Sequence, residues 1–213
     1  MKIDFSVVVP VYNELNLINK FTKNLLTTFK NYNVKYIFVD DGSWDGSKEW
    51  LTENIPIIEH YMDTHGITNT YTRIAMLAVF AKESRLNPRP ERCYTNTPVG
   101  RVRDVYGDKF ANFSDSKIEE LKKDCTAFFN YVYEKSRSSR KKHGNRPGTN
   151  DGYVYRGRGL NQLTFRGSYL KMGNETGYDL VSNPKQLENI HIASKVALKF
   201  LINRLKSGPI AYR

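Results

Sequence analysis

The sequence predicts a mainly α fold preceded by a short β-α-β segment, and three observations carry that prediction. Phe5 to Val11 and Lys35 to Val39 are apolar, β-branched runs of strand length, the pattern of strands buried on both faces. Both runs precede residue 54. After Pro56 apolar residues recur at helical spacing, separated by polar loops.

The elements follow in order. Between the two apolar runs, Leu17, Ile18, Phe21, Leu25 and Phe29 give Leu15 to Phe29 the spacing of a helix. The second run ends in Asp40-Asp41-Gly42-Ser43-Trp44-Asp45-Gly46-Ser47, a stretch of turn formers and helix caps. Ile57 to His65 reads as a short helix stopped by Gly66. Thr70 to Ser84 reads as a strong helix, apolar nearly all round from Ile74 to Ala81 and therefore central and buried. Arg85 to Phe113 carries Pro88, Pro90, Pro98, Gly100 and Gly107 and reads as irregular. Ser116 to Lys135 reads as one helix, with Ser116 and Glu119 as its capping box. A basic loop from Ser136 to Asp151 follows, and Ile192 to Leu205 closes the chain as a helix.

Composition bounds the rest. The 213 residues suffice for one good-sized domain with an appended piece. A formal charge of +11 favours polyanions such as nucleic acid, anionic membrane or bacterial wall, and its sign alone does not choose among them. The basic cluster from Arg137 to His143 has no interleaved aromatic, which favours a solvated loop over a nucleic-acid patch. His60, His65, His143 and His191 have no metal-ligand spacing. Cys93 and Cys125 form no CxxC pair, and two free thiols are expected. No apolar run approaches the roughly 18 residues of a membrane span. Asp4 and Pro10 interrupt the N-terminus as a signal peptide, so a cytoplasmic origin is expected.

The segment Val9-Pro10-Val11-Tyr12-Asn13-Glu14, with Val39-Asp40-Asp41-Gly42-Ser43-Trp44-Asp45-Gly46-Ser47, resembles the opening of family 2 glycosyltransferases. That resemblance implies a nucleotide-sugar site at Asp40 and Asp41, with a divalent metal nearby. The family's later acidic motif and catalytic base are not found downstream. Residues 1–54 are therefore read as a partial transferase-like segment, and residues 55–213 as a separate domain.

In that second part, Tyr155-Arg156-Gly157-Arg158-Gly159-Leu160-Asn161-Gln162-Leu163-Thr164-Phe165 is the most distinctive stretch. Gln162 and Thr164 lie two apart, so on an extended strand they would face one side and present hydrogen-bonding groups to a glycan. The stretch resembles the motif of family 19 glycoside hydrolases, the chitinases and lysozyme-like phage endolysins. Ala81-Lys82-Glu83-Ser84, Asn150-Asp151-Gly152-Tyr153 and Asp179-Leu180-Val181-Ser182-Asn183-Pro184 extend the likeness. It implies a lysozyme-like (α+β) hydrolase that cleaves β-1,4 bonds of peptidoglycan or chitin with inversion and needs no metal or organic cofactor.

Glu83 follows Val79 and Phe80 on one helical stripe, near the negative end of the helix dipole. Both placements favour a protonated acid able to protonate a leaving oxygen. The spacing is equally that of a helix-end Glu paired with Arg85 or Arg89. The resemblance makes Glu83 the general acid, Glu91 the base with Asp104 in reserve, and Thr164 the residue that orients water. An inverting pair needs its carboxyls roughly 6.5–9.5 Å apart. By the same resemblance Gln162, Tyr155, Arg158, Ser168 and Asn183 bind sugar.

The expected protein is thus a monomeric glycosidase of endolysin type. It acts on wall glycan after release, with neither nucleic-acid binding nor membrane insertion. Two other readings stand beside it, a glycosyltransferase-related protein that binds a nucleotide sugar and a non-catalytic wall-binding module.

Overall fold

The structure is a computed structural model describing residues 4–11, 28, 34–40, 50–134 and 143–206. Among these residues the chain is mainly α-helical. The helix expected from Leu15 to Phe29 lies almost entirely outside them. The loop from Asp41, the basic residues 137–142 and the C-terminal residues 207–213 lie wholly outside them.

Strands β1 (Phe5–Val11) and β2 (Val34–Asp40) pair in parallel, from Phe5 opposite Val34 to Val11 opposite Asp40. Two strands are too few to stand alone. Val7 packs against a core cluster built from Ile58, Met62, Phe80, Leu86 and the closing helix, so the pair leans on the helical body. A π-helical turn (Trp50–Asn54) leads into α1 (Ile55–Thr64), where Pro56 sits in the first turn and its missing N–H costs nothing.

Helix α2 (Thr70–Ser84) has the expected bounds. Asn69 Oδ1 caps it by accepting from Thr72 N at 3.0 Å, and left-handed Arg85 (φ 55°) ends it. Only one face is buried, through Met76, Phe80, Ala81 and Ser84, whereas Tyr71 and Val79 are exposed. The fully buried helix of the sequence reading is corrected accordingly.

Two further corrections concern boundaries. Val99–Phe110 is a helix, α3, inside the stretch read as irregular. Pro98 stands just outside it, and a Cβ added at Gly100 or Gly107 would meet nothing within 4 Å, so its two glycines face open space. The single helix read over Ser116 to Lys135 is broken at Asp124 into α4 (Asp115–Lys123) and α5 (Cys125–Glu134). Asp124 adopts an extended backbone, and its Oδ1 accepts from Thr126 N and Ala127 N, starting a new helix. Ser114, not Ser116, caps α4.

A short helix α6 (Asp151–Val154) lies against α5. A Cβ on Gly152 would fall 2.6 Å from both Asn130 Cα and Phe129 O, so this crossing requires glycine. Helix α7 (Arg166–Thr176) and a 3₁₀ turn (Pro184–Glu188) lead to α8 (Ile190–Lys206). Helix α8 serves two cores, giving Ala193, Ala197 and Leu198 to the α1–α2 cluster and Val196 to the cluster around Tyr169 and Met172. A third core is aromatic, with Phe110, Phe128 and Phe129 from α3 and α5.

Cys93 and Cys125 are joined as a disulfide, with Cα atoms 5.4 Å apart. The expectation of two free thiols is corrected. The bond ties the loop after α2 to the first residue of α5.

Candidate functional site

Two places gather the residues singled out by the sequence. The first is the edge where β1 and β2 end level. Val11 stands opposite Asp40, so both carboxyl ends open on the same side. Open parallel sheets bind ligands at such edges. Asp40 is the last residue of β2, and Asp41 lies outside the described residues. Among the described residues no three His, Cys, Asp or Glu side chains form a metal-ligating group.

The second place is built around Glu91. Its Oε1 accepts from Tyr106 OH at 2.7 Å and Tyr94 OH at 3.3 Å, and its Oε2 accepts from Tyr133 OH at 2.6 Å. The three phenols come from the loop, α3 and α5. Burial foremost, then the neighbouring Tyr133 and Glu91 charges, pushes the Tyr106 phenol far above its ordinary range. Burial and Glu91 push Tyr133 the same way. The phenols therefore remain hydrogen-bond donors at any ordinary pH. Burial lowers Lys109, and the Glu91 charge opposes that effect. Lys109 Nζ donates to Val132 O at 2.6 Å and lies over the Tyr106 and Tyr133 rings.

The loop backbone is fixed as firmly as the carboxylate. Glu91 N donates to Gly157 O at 2.7 Å, and Arg156 Nε donates to Glu91 O at 3.2 Å. Gln162 Nε2 donates to Arg89 O at 3.0 Å. A Cβ on Gly157 would lie 2.8 Å from Gln162 Oε1 and 3.4 Å from Glu91 Oε2. Glycine thus leaves a gap where two acceptor oxygens converge. Beside it Phe165 stacks on His143 at 4.2 Å and meets Tyr133 edge-on at 5.4 Å. Among the described residues Asn161 Nδ2 and Arg166 Nε are buried without a hydrogen-bond partner.

The stretch from Tyr155 is not the extended strand of the sequence reading. It forms a single bridge, Arg158 to Leu163, and Gln162 (φ 48°) and Phe165 (φ 75°) are left-handed. Three glycines and these two turns fold it back on itself. Gln162 and Thr164 are consequently not two teeth on one strand face. Thr164 Oγ1 donates to Gln162 O at 2.9 Å.

The remaining candidates are scattered. Tyr155 is buried and donates to Val181 O, and Arg158 is buried and pairs with Glu188. Ser168 is half-buried in the first turn of α7, and Asn183 is exposed before the 3₁₀ turn. Asp104 is exposed on α3, 3.9 Å from Arg101. Glu83 is exposed among the described residues and lies off the buried stripe of α2, where the chain turns away at Arg85. Water reaches the carboxyl that the acid reading required to be desolvated. It forms no ion pair with Arg85 or Arg89 either, since no described ion pair includes these residues. The Glu91 tyrosines were missed because no spacing joins residues 94, 106 and 133. The only signal was the count of 14 tyrosines.

Compared with protein families, the chain matches glycosyl transferase family 2 over residues 6–73 of its 213. The match covers β1, β2 and α1 and ends inside α2, beyond the border expected at residue 54. No curated protein matches the chain. The family finding overturns the assignment to family 19 glycoside hydrolases, together with the chitinase, lysozyme and endolysin activity read from it. The short motifs behind that assignment describe loops and caps that other helical proteins also need, and an exposed Glu83 removes its physical support.

Proposed function

We propose that this chain is a glycosyltransferase-related protein whose β1–β2 edge holds the nucleotide part of a sugar donor. One coincidence carries the reading. The family match begins at Ser6 and spans the two parallel strands whose carboxyl ends stand level at Val11 and Asp40. Asp40 and Asp41 supply carboxylates for the ribose or base donors of the nucleotide, as acidic residues at such edges do. No step is routed through a metal.

The test is calorimetric titration with nucleoside-diphosphate sugars, comparing the parent with Asp40→Ala. A charge-assisted hydrogen bond contributes about 1.5–3 kcal/mol. Asp40→Ala should therefore weaken binding by about 10- to 100-fold. Absence of binding by any nucleoside-diphosphate sugar or free nucleoside diphosphate, with or without a divalent cation, removes the reading.

The Glu91 site favours a second role for the helical body, that of a lysozyme-like scaffold holding a peptidoglycan or chitin strand without cleaving it. The converging acceptors Glu91 Oε2 and Gln162 Oε1 suit sugar hydroxyl and amide donors. In co-sedimentation with insoluble peptidoglycan and chitin, Glu91→Gln should weaken retention by about tenfold. Exposed Glu83→Gln should not change it. Equal retention of both variants and the parent removes this role.

A further inference from the structure

We infer that the Cys93–Cys125 disulfide is a redox switch on the Glu91 site, closed when oxidised and released when a dithiol reduces it. The inference rests on the glycan-holding role proposed for that site. The chain has two cysteines, so this is the one disulfide it can form within itself. The bond sits where two halves of the site meet. On one side the backbone of Arg89 and Glu91 is tied to the Gly157–Gln162 turn. Gln162 Nε2 donates to Arg89 O, Glu91 N to Gly157 O and Arg156 Nε to Glu91 O. On the other side the Glu91 carboxylate is tied to α5 by the Tyr133 hydroxyl. Tyr94, itself a donor to Glu91, stacks on Phe128 of α5 at 5.0 Å and meets Phe129 edge-on at 6.1 Å. The disulfide joins the two halves at the first residue of α5, within a turn of Phe128.

Cys93 is exposed and Cys125 half-buried, so a thiolate reaches the bond from solvent. Exposed disulfides are the labile, regulatory kind. The reductant is a dithiol. One of its thiolates attacks Cys93 Sγ, the S–S bond breaks, and Cys125 leaves as a thiolate that takes up a proton. The second thiolate then displaces Cys93, which is protonated in turn, and the dithiol departs as its own disulfide. Two electrons pass to the cysteine pair, and an oxidising disulfide reverses each step. Reduction leaves only noncovalent contacts between the loop and α5. Extended Asp124 stands immediately before Cys125, so the freed helix end adjoins a backbone break about which it can swing. Such a swing draws Tyr133 away from Glu91, whose backbone stays with the Gly157–Gln162 turn. The carboxylate then loses a donor that sets its position beside Gln162 Oε1, and glycan binding weakens. A chain kept among thiols holds the open form, and oxidising surroundings close it.

The experiment is co-sedimentation of the full chain with insoluble peptidoglycan across mixtures of reduced and oxidised dithiothreitol, held well below the melting temperature of the reduced form. Free thiols are labelled and counted by mass spectrometry in the same samples. Retention should fall by about tenfold from the oxidised to the reduced form, with its midpoint at the mixture that half-reduces the pair. It should return on reoxidation. Cys93→Ser/Cys125→Ser should stay at the reduced level in every mixture. Glu91→Gln, weak even when oxidised, should lose no more than about twofold on reduction, because the switch acts through that carboxylate. Near-ultraviolet circular dichroism of the tyrosines gives a readout that needs no glycan. It should change reversibly on reduction while the far-ultraviolet helical signal stays. The proposal is overturned if the native chain takes up no label in excess dithiol, or if both forms are retained equally. It is overturned too if Glu91→Gln loses as much as the parent on reduction, or if reduction abolishes the helical signal, which would make the bond purely structural. If neither form is retained, the glycan reading fails and the tyrosine spectrum alone decides. A reversible change then upholds the switch, and an unchanged spectrum overturns it.

Discussion

Stability is expected to collapse steeply as pH rises above about 10. The cause is a set of phenols that the fold keeps protonated. Tyr169 is fully buried, with its hydroxyl donating to Arg156 O at 2.8 Å. Burial pushes it up to about 12, against the opposing pull of Arg158. In the unfolded chain it titrates near 10. A raised phenol means that the native state holds its proton over a range where the unfolded state has released it. The stabilisation is therefore complete below about pH 10 and is lost as pH rises through that value towards the folded one. For Tyr169 alone the loss is about 3 kcal/mol by order of magnitude. Tyr106 and Tyr133 shift in the same direction and further. Tyr94 and Tyr131 are raised as well, chiefly by burial. Each phenol that keeps its proton while its unfolded counterpart has lost it contributes about 1.4 kcal/mol per pH unit, so Tyr169, Tyr106 and Tyr133 alone give about 4 kcal/mol per pH unit in the steep region. Lys109 is lowered and acts in the opposite sense, but it is one group against five raised phenols. Urea unfolding followed between pH 8 and pH 12, with tyrosinate absorbance recorded alongside, checks the account. Tyr106→Phe should flatten the slope by about 1.4 kcal/mol per pH unit, the share of one titrating group. Ordinary tyrosine titration in a protein that stays folded would refute it.

What could be read without coordinates depended on how local the cause was. The bounds of helix α2 were legible because an apolar run from Ile74 to Ala81 continues unbroken by Gly or Pro, while its one-sided burial was not. The two strands were legible as apolar, β-branched runs, and the resemblance of that segment to a glycosyltransferase is the one that the family match supports. The break at Asp124 was not legible, because its residue type is common inside helices and only its extended backbone shows it as a cap. The stretch around Gln162 was misread because polar–apolar alternation suggests a strand while glycines permit a folded turn. The Glu91 site needed three tyrosines from separate elements, a meeting that no window of sequence contains. The hydrolase assignment failed for a related reason. It rested on short motifs in the correct order, and order does not establish that Glu83 is buried.

Removing the Cys93–Cys125 bond should cost about 3–4 kcal/mol, the chain-entropy value for a closed loop of this length. The bond joins residues 32 apart and closes the whole of α3 and α4 into one loop. Its removal lets the unfolded chain gain freedom, while the native chain loses one tie between the loop and α5. In a protein of this size the melting temperature should fall by roughly 10 °C. Cys93→Ser/Cys125→Ser, and the parent under a dithiol reductant, should behave alike in thermal unfolding. A second effect is local. Glu91 and Tyr94 flank Cys93, so the amide that donates to Gly157 should exchange with solvent faster once the bond is gone. Helix α7 packs through Tyr169 and Met172 in a different core cluster, and its amides should change only with global stability. Equal melting of the two forms would mean that the loop is held by Gly157, Gln162 and the Glu91 phenols alone. A fall in melting temperature without faster exchange at Glu91 would place the bond's effect entirely in the unfolded chain.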